Sequence, residues 1–199
     1  MSSAPKYIEE LVESLTKFPG IGRKGAERIA YFLVKSEKSF SKNLIETLTD
    51  VNEKLDVCPK SGMIILKGEE SAFSDKNRNS EFLCVVENIE DAIKIENTNS
   101  FDGSYHVLGG SISPLDGIGP SDLSFDKLIE RIDDKTKEVI IATNPSTSGN
   151  ATALYLEKIL KDKNIEISRL AIGLPVGSSL EYIDDKTIST AISGRVKLN

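Results

Sequence analysis

The run Phe18-Pro19-Gly20-Ile21-Gly22-Arg23-Lys24-Gly25-Ala26 crowds a proline, three glycines and two cations into nine residues. Gly20 and Gly22 permit positive φ and close backbone approach, so the chain can turn tightly and expose the first N–H groups of a following helix. Such a helix start accepts a phosphate. Arg23, Lys24 and, one turn on, Arg28 would add charge to neighbouring phosphates without reading bases. The same residues also suit an ordinary helical hairpin with a glycine-rich turn, and salt dependence of binding separates the two readings. A second chemical candidate is Cys84-Val85-Val86-Glu87, which sets a carboxylate at the end of an apolar run, where a metal-binding acid of an α/β sheet would sit. Asp116 lies in the glycine-rich loop Leu115-Asp116-Gly117-Ile118-Gly119-Pro120, and Asn144 in the polar turn that ends Val139-Ile140-Ile141-Ala142-Thr143-Asn144-Pro145.

These residues need elements to hold them. Ile8, Leu11, Val12 and Leu15 recur at helical spacing and predict a first helix, which Pro19 and the glycines end. A second helix begins near Arg23 with Ala26, Ile29, Ala30 and Leu33 on its apolar face, and Ile21 is placed to plug the space between the two. Leu44, Ile45, Leu48, Val51 and Leu55 predict a third. The stretch from Asp56 to Ser80 carries one short β-like run, Met63 to Leu66, and reads as a small insert. Beyond Glu81, strand-like Phe82 to Val86, Tyr105 to Leu108, Val139 to Ala142 and Leu170 to Leu174 alternate with helix-like Glu90 to Glu96, Ser124 to Ile132 and Ala151 to Lys161. That order predicts an α/β unit with a largely parallel sheet, because parallel neighbours need a crossover long enough for a helix.

The chain has 199 residues, a formal net charge of −6, fourteen glycines, seven prolines and two cysteines. No apolar run approaches the roughly 20 residues of a membrane span. The amino end lacks the basic and apolar regions of a secretory signal, so the expected location is the cytoplasm and no membrane partner is expected. Cys58 and Cys84 alone cannot build a disulfide framework. Charge is uneven: the segment 17–42 holds seven basic and two acidic residues, a local excess of +5 on an acidic chain. A local anion-binding surface follows, rather than a protein that coats nucleic acid over its whole face. None of the glycine clusters has the lysine of a phosphate-binding P-loop. His106, the sole histidine, falls inside an expected strand and reads as structural.

The hairpin closely resembles the helix-hairpin-helix motif of DNA repair and recombination proteins, read as Pro19-Gly20-Ile21-Gly22. The later half resembles a Toprim domain, the Mg²⁺-binding α/β module of topoisomerases, primases and some nucleases. Together, in this order and at this length, they resemble the RecR family of bacterial recombination mediators over nearly the whole chain. To the phrases already quoted the resemblance adds Ser113-Pro114, Gly173-Leu174-Pro175-Val176-Gly177 and Ser193-Gly194-Arg195. It implies an α+β multi-module protein: a helix-hairpin-helix DNA-binding module at 1–56, a degenerate zinc-finger-like insert at 57–80, a Toprim-like α/β domain at 81–170, and a C-terminal segment at 171–199 that serves oligomerisation. It further implies a non-catalytic protein that binds DNA without sequence preference, closes as a homotetrameric ring, and acts with RecO, and in many bacteria RecF, to load the RecA recombinase.

Two departures from the family pattern bear on chemistry. The family usually carries four zinc-binding cysteines, whose positions here fall at Cys58, Ser61, Ser71 and Ser74. One thiolate with three hydroxyls does not make a structural zinc site, so no zinc is expected and the insert should fold by local packing around Met63, Ile64, Leu66 and Phe73. Toprim enzymes pair the strand-end Glu with a later D-x-D, whereas this chain reads Thr143-Asn144-Pro145-Ser146 and then a neutral Ser148-Gly149-Asn150. Glu87 with Asp116 would hold Mg²⁺ only weakly, and Glu87, Asp116 and Asn144 are equally candidates for a partner-binding surface. The alternatives are a Mg²⁺-dependent Toprim-type nuclease working through Glu87 and Asp116, and an interaction module whose hairpin contacts protein.

Overall fold

Alanines at the contact bring the first two helices together. In α1 (Lys6–Leu15) and α2 (Arg23–Lys35), Val12, Ala26 and Ala30 are buried against each other, with Ile8, Leu11, Leu15 and Ile21 packed around them. Ile21 thus fills the space beneath the hairpin, as its apolar side chain requires. A third helix, α3 (Lys38–Lys54), buries none of its residues. Phe40 at its start meets Phe32 of α2 edge to face, with ring centroids 5.7 Å apart. The structure, a computed structural model, describes residues 4–68 and 78–196. Its chain divides into two compact units, Met1–Leu55 and Asp56–Asn199. Among the described residues no helix is long and apolar enough to cross a membrane.

The second unit is built on four parallel strands. β3 (Asn79–Val86), β4 (Gly103–Val107), β5 (Glu138–Ala142) and β6 (Glu166–Arg169) lie in the order β4-β3-β5-β6, every pairing parallel. β1 (Leu55–Val57) and β2 (Ile64–Leu66) pair separately as a two-stranded ribbon. The crossovers carry α4 (Ile89–Glu96), α5 (Phe125–Arg131) and α6 (Thr147–Leu160), and α7 (Asp185–Ser193) follows near the carboxyl end. β3 shows why the sheet is covered on both sides: Leu83 and Val85 enter a core with Leu128, Leu156 and Leu160, while Cys84 and Val86 enter another with Ala92, Tyr105 and Met63. The connections from β3 and β5 leave toward opposite sides of the sheet. The carboxyl ends of these adjacent strands therefore frame the crevice where such folds place their sites.

Two expectations change here. The last strand is Glu166–Arg169, and the apolar run from Leu170 to Leu174 lies outside any strand, with Leu170, Ile172 and Leu174 exposed. An edge strand buries little, so Ile167 and Ser168 are its only half-buried residues and it leaves a fainter mark than the apolar run beside it. Nor do the described residues of the insert make a core of their own. Met63 is 1% exposed and belongs to the sheet's core with Cys84, Val86 and Tyr105, whereas Ile64 and Leu66 are exposed. Phe73 lies outside the described residues.

Candidate nucleic-acid interface and the sheet-end crevice

Gly20 turns the hairpin at φ +76°, in the left-handed region that glycine enters without a Cβ penalty. The Ile21 N–H donates to the Phe18 carbonyl at 3.2 Å, and Gly22, extended at φ −80° and ψ 169°, stands as the residue before α2. Gly22 has no side chain to cap that helix, and no acid occupies its first turn, so its first N–H groups have no intrahelical partner. Arg23, Lys24 and Arg28 are all exposed. Arg23 makes an exposed ion pair with Glu27 at 3.3 Å, an i,i+4 contact worth only about 0.3–0.5 kcal/mol and readily exchanged for another anion. A Cβ built on Gly20 or Gly22 would meet nothing within 4 Å, so space is left beside the turn. The sequence-derived set Gly20, Gly22, Arg23, Lys24 and Arg28 is thus gathered at one helix start.

At the sheet end, Glu87 follows β3 directly and is 6% exposed. Both its oxygens are engaged. Oε1 accepts the Asn144 backbone N–H at 2.7 Å and Oε2 accepts Asn144 Nδ2 at 2.9 Å. Thr143 Oγ1 donates to the Gly149 carbonyl at 2.9 Å, and a Cβ on Gly149 would collide with the Asn144 carbonyl oxygen and lie 2.6 Å from Glu87 Oε1. The carboxylate therefore ties the end of β3 to the loop that enters α6. An amide, Asn144, and not a second carboxylate, stands against Glu87. Asp116 is not part of this cluster: it is exposed on a short 3-10 turn, and its Oδ2 accepts the Ser113 hydroxyl. Among the described residues no group of three or more His, Cys, Asp or Glu side chains is disposed to hold a metal ion.

Two groups of the candidate zinc site can be placed. Cys58 and Ser61 sit in a knuckle in which the Cys58 N–H donates to the Met63 carbonyl at 2.8 Å and the Gly62 N–H to the Cys58 carbonyl at 2.9 Å. Ser61 is buried, and its carbonyl accepts the Val107 N–H at 2.8 Å, which fastens the knuckle to β4. Gly62, at φ +74°, lets the turn press against Val107. Burial works to raise the Cys58 thiol, but hydrogen bonds from Ser61 and from the backbone of Ser61 and Lys60 outweigh it and hold the thiol below its ordinary value. Ser71 and Ser74 lie outside the described residues. Zinc takes thiolate, imidazole or carboxylate ligands, so the donor set Cys58, Ser61, Ser71 and Ser74 does not fit a structural zinc ion.

Two residues do more than their sequence context signals. Arg78 grips Glu96 with both guanidinium nitrogens, Nη1 to Oε1 at 2.9 Å and Nη2 to Oε2 at 2.8 Å, and donates Nε to the Gly103 carbonyl at 2.6 Å. Tyr105 adds its hydroxyl to Glu96 at 3.0 Å, and the Arg78 bond, with Tyr105 behind it, holds the Glu96 carboxyl below its usual range. This fork joins the start of β3, the end of α4 and the start of β4, and nothing local in the sequence links the three. His106 is fully buried in β4. Arg131 Nη1 approaches its Nδ1 at 3.2 Å, so Nε2 carries the proton and donates to the Ser124 carbonyl at 3.0 Å. That is a structural role, as expected for an imidazole enclosed in a strand.

An uncapped, cationic helix start behind a Gly-x-Gly turn, on the same chain as a parallel α/β sheet whose strand-end glutamate faces a neighbouring loop, defines a helix-hairpin-helix protein with a Toprim-type body. Known families agree element by element. The Toprim domain matches residues 81–171, the RecR helix-hairpin-helix matches 8–51, and the RecR C-terminal region matches 173–196. The recombination protein RecR of Acidothermus cellulolyticus is 44% identical over 193 residues, 96% of this chain and 97% of the relative. That of Tropheryma whipplei is 42% identical over 98% of each chain, and that of Natranaerobius thermophilus 41% identical over the full length of both. The chain belongs to the RecR family of recombination proteins.

Proposed function

We propose that the protein is a non-catalytic DNA-binding mediator of recombinational repair, working in the cytoplasm. Its hairpin grips backbone phosphates without reading sequence, and copies of the chain assemble into a ring-like clamp, four in number by family resemblance. The ring acts with RecO, and with RecF where it is present, to load RecA. The carrying observation is the start of α2: an uncapped helix end behind Gly20 and Gly22, with Arg23, Lys24 and Arg28 exposed around it. Self-association is supported by α3, where Phe40, Leu44, Ile45, Leu48 and Val51 remain exposed in the single chain. The absence of bond chemistry is supported by Glu87, whose oxygens are both engaged by Asn144 rather than shared with further carboxylates.

Replacing Arg23 and Lys24 by alanine tests the hairpin. DNA affinity measured across a salt series should fall, and the slope of log affinity against log salt should flatten by about 0.9 for each duplex phosphate that the variant no longer neutralises. Unchanged affinity and slope would refute the hairpin as the site of DNA binding.

A further inference from the structure

The helix that follows the hairpin has two opposite faces. Ala26 and Ala30 of α2 are buried in the core shared with α1. At about 100° per residue, the side facing away from them carries Lys24, Arg28, Tyr31 and Lys35, all within an arc of about 60°. All four are exposed. The stripe is about 16 Å long at 1.5 Å per residue, and Tyr31 stands in the gap of about 10 Å between Arg28 and Lys35.

Lys24, Arg28 and Lys35 make no ion pair among the described residues, and Tyr31 makes no hydrogen bond or ring contact among them. The one acid of α2, Glu27, lies to the side of the stripe and pairs with Arg23 at 3.3 Å. Beyond the helix end, Glu37 accepts the Ser39 hydroxyl at 3.2 Å. The Tyr31 ring is 46% exposed and takes no part in the core of α1 and α2, whereas its neighbour Phe32 meets Phe40. A large flat ring is thus held outward in the middle of a row of cations.

We infer that Tyr31 is a stacking platform for an unpaired base. A single strand of DNA leaving the hairpin runs along α2, with its phosphates on Lys24, Arg28 and Lys35 and one base against the tyrosine ring. Cations alone hold duplex and single strand alike, since both present phosphates. An aromatic ring among them adds a contribution that needs a free base face, which a single strand offers and a duplex keeps stacked within itself. Tyr31 therefore sets which form of DNA is preferred, and the cations set whether DNA is bound. The inference rests on the reading of the hairpin as a phosphate grip and adds the form of DNA that the grip selects.

The test is fluorescence anisotropy of the full-length protein with a labelled single strand, a dumbbell duplex closed at both ends, and a single strand of abasic sites. Tyr31→Ala should weaken binding of the base-bearing single strand about tenfold, the loss due to one stacked base, at an unchanged salt slope because no phosphate contact is removed. Its affinity for the duplex and the abasic strand should stay within about twofold of the parent's, since neither offers a base to stack. Tyr31→Phe keeps the ring and should bind the single strand as the parent does. Lys35→Gln should instead flatten the single-strand slope by about 0.7, and an unchanged slope there overturns the path along α2. A loss in Tyr31→Ala shared by the duplex or the abasic strand, or no loss on any of the three, overturns the inference. Arg23→Gln with Lys24→Gln then decides the hairpin separately: weaker binding of duplex and single strand leaves the phosphate grip standing, and unaltered binding removes that too. A smaller assembly of Tyr31→Ala by light scattering would place the ring between copies of the chain and would also overturn the inference.

Discussion

Gly22 separates stability from binding. Its φ of −80° is open to any residue, and an added Cβ would touch nothing of the protein within 4 Å. Gly22→Ala should therefore change the unfolding free energy by less than about 0.5 kcal/mol, the ordinary range for a surface substitution. It should nonetheless weaken DNA binding, because the methyl group stands where a phosphate approaches. Equal affinity in a titration of the two proteins would mean that the turn does not touch the backbone. Cys84 makes a prediction about pH. It is 2% exposed, and burial pushes its thiol up to about 12. The unfolded chain releases this proton above about pH 8.5 while the folded chain keeps it, so stability is full below that pH and falls by about 1.4 kcal/mol per unit as pH rises toward the folded value. Urea unfolding at pH 8 and pH 10 should show a smaller loss in Cys84→Ala than in the parent; equal losses would contradict the assignment. Both residues are legible in the sequence, one as a turn glycine and one as a small core residue. The Glu87 carboxylate is legible as a strand-end group, but its union with Asn144 is not, because the pair is 57 residues apart and forms only when β3 and β5 align.

Elements are legible where a face is continuously buried and obscure where it is not. α2 begins at Arg23 because the glycine turn and the Ala26 and Ala30 stripe both demand it. The shift of the last strand from Leu170–Leu174 back to Glu166–Arg169 reflects an edge strand with only two half-buried residues. The ribbon of β1 and β2 is only half visible, since a pair of three-residue strands lacks the length to show a period. The knuckle between them holds by hydrogen bonds to Cys58, Ser61 and Val107 and by the burial of Met63, without a full set of zinc ligands. Elemental analysis of protein purified without added metal should find well under one zinc per chain, and a chelator should leave the melting temperature unchanged. A stoichiometric zinc, or melting that drops with the chelator, would show that other residues complete a site.

At the scale of the molecule, the charge arithmetic locates the hairpin but is silent on what the acidic remainder of the chain does. The exposed apolar face of α3 is similarly silent in a helical pattern, which cannot tell a face buried within one chain from a face reserved for another. Ile45 and Leu48 are 65% and 56% exposed, so replacing both with glutamate removes little from the folded single chain. Light scattering should report a smaller assembly for this double variant than for the parent, at similar helix content by circular dichroism. An unaltered mass would place the association elsewhere. The Met63 side chain carries a lesson for anyone who cuts this protein into pieces. A fragment begun at the first long strand would be missing a plug from the middle of its hydrophobic interior, as if a large core residue had been excised by mutagenesis, and its poor yield would say nothing about whether the α/β half can stand alone. The scissors belong upstream of Asp56.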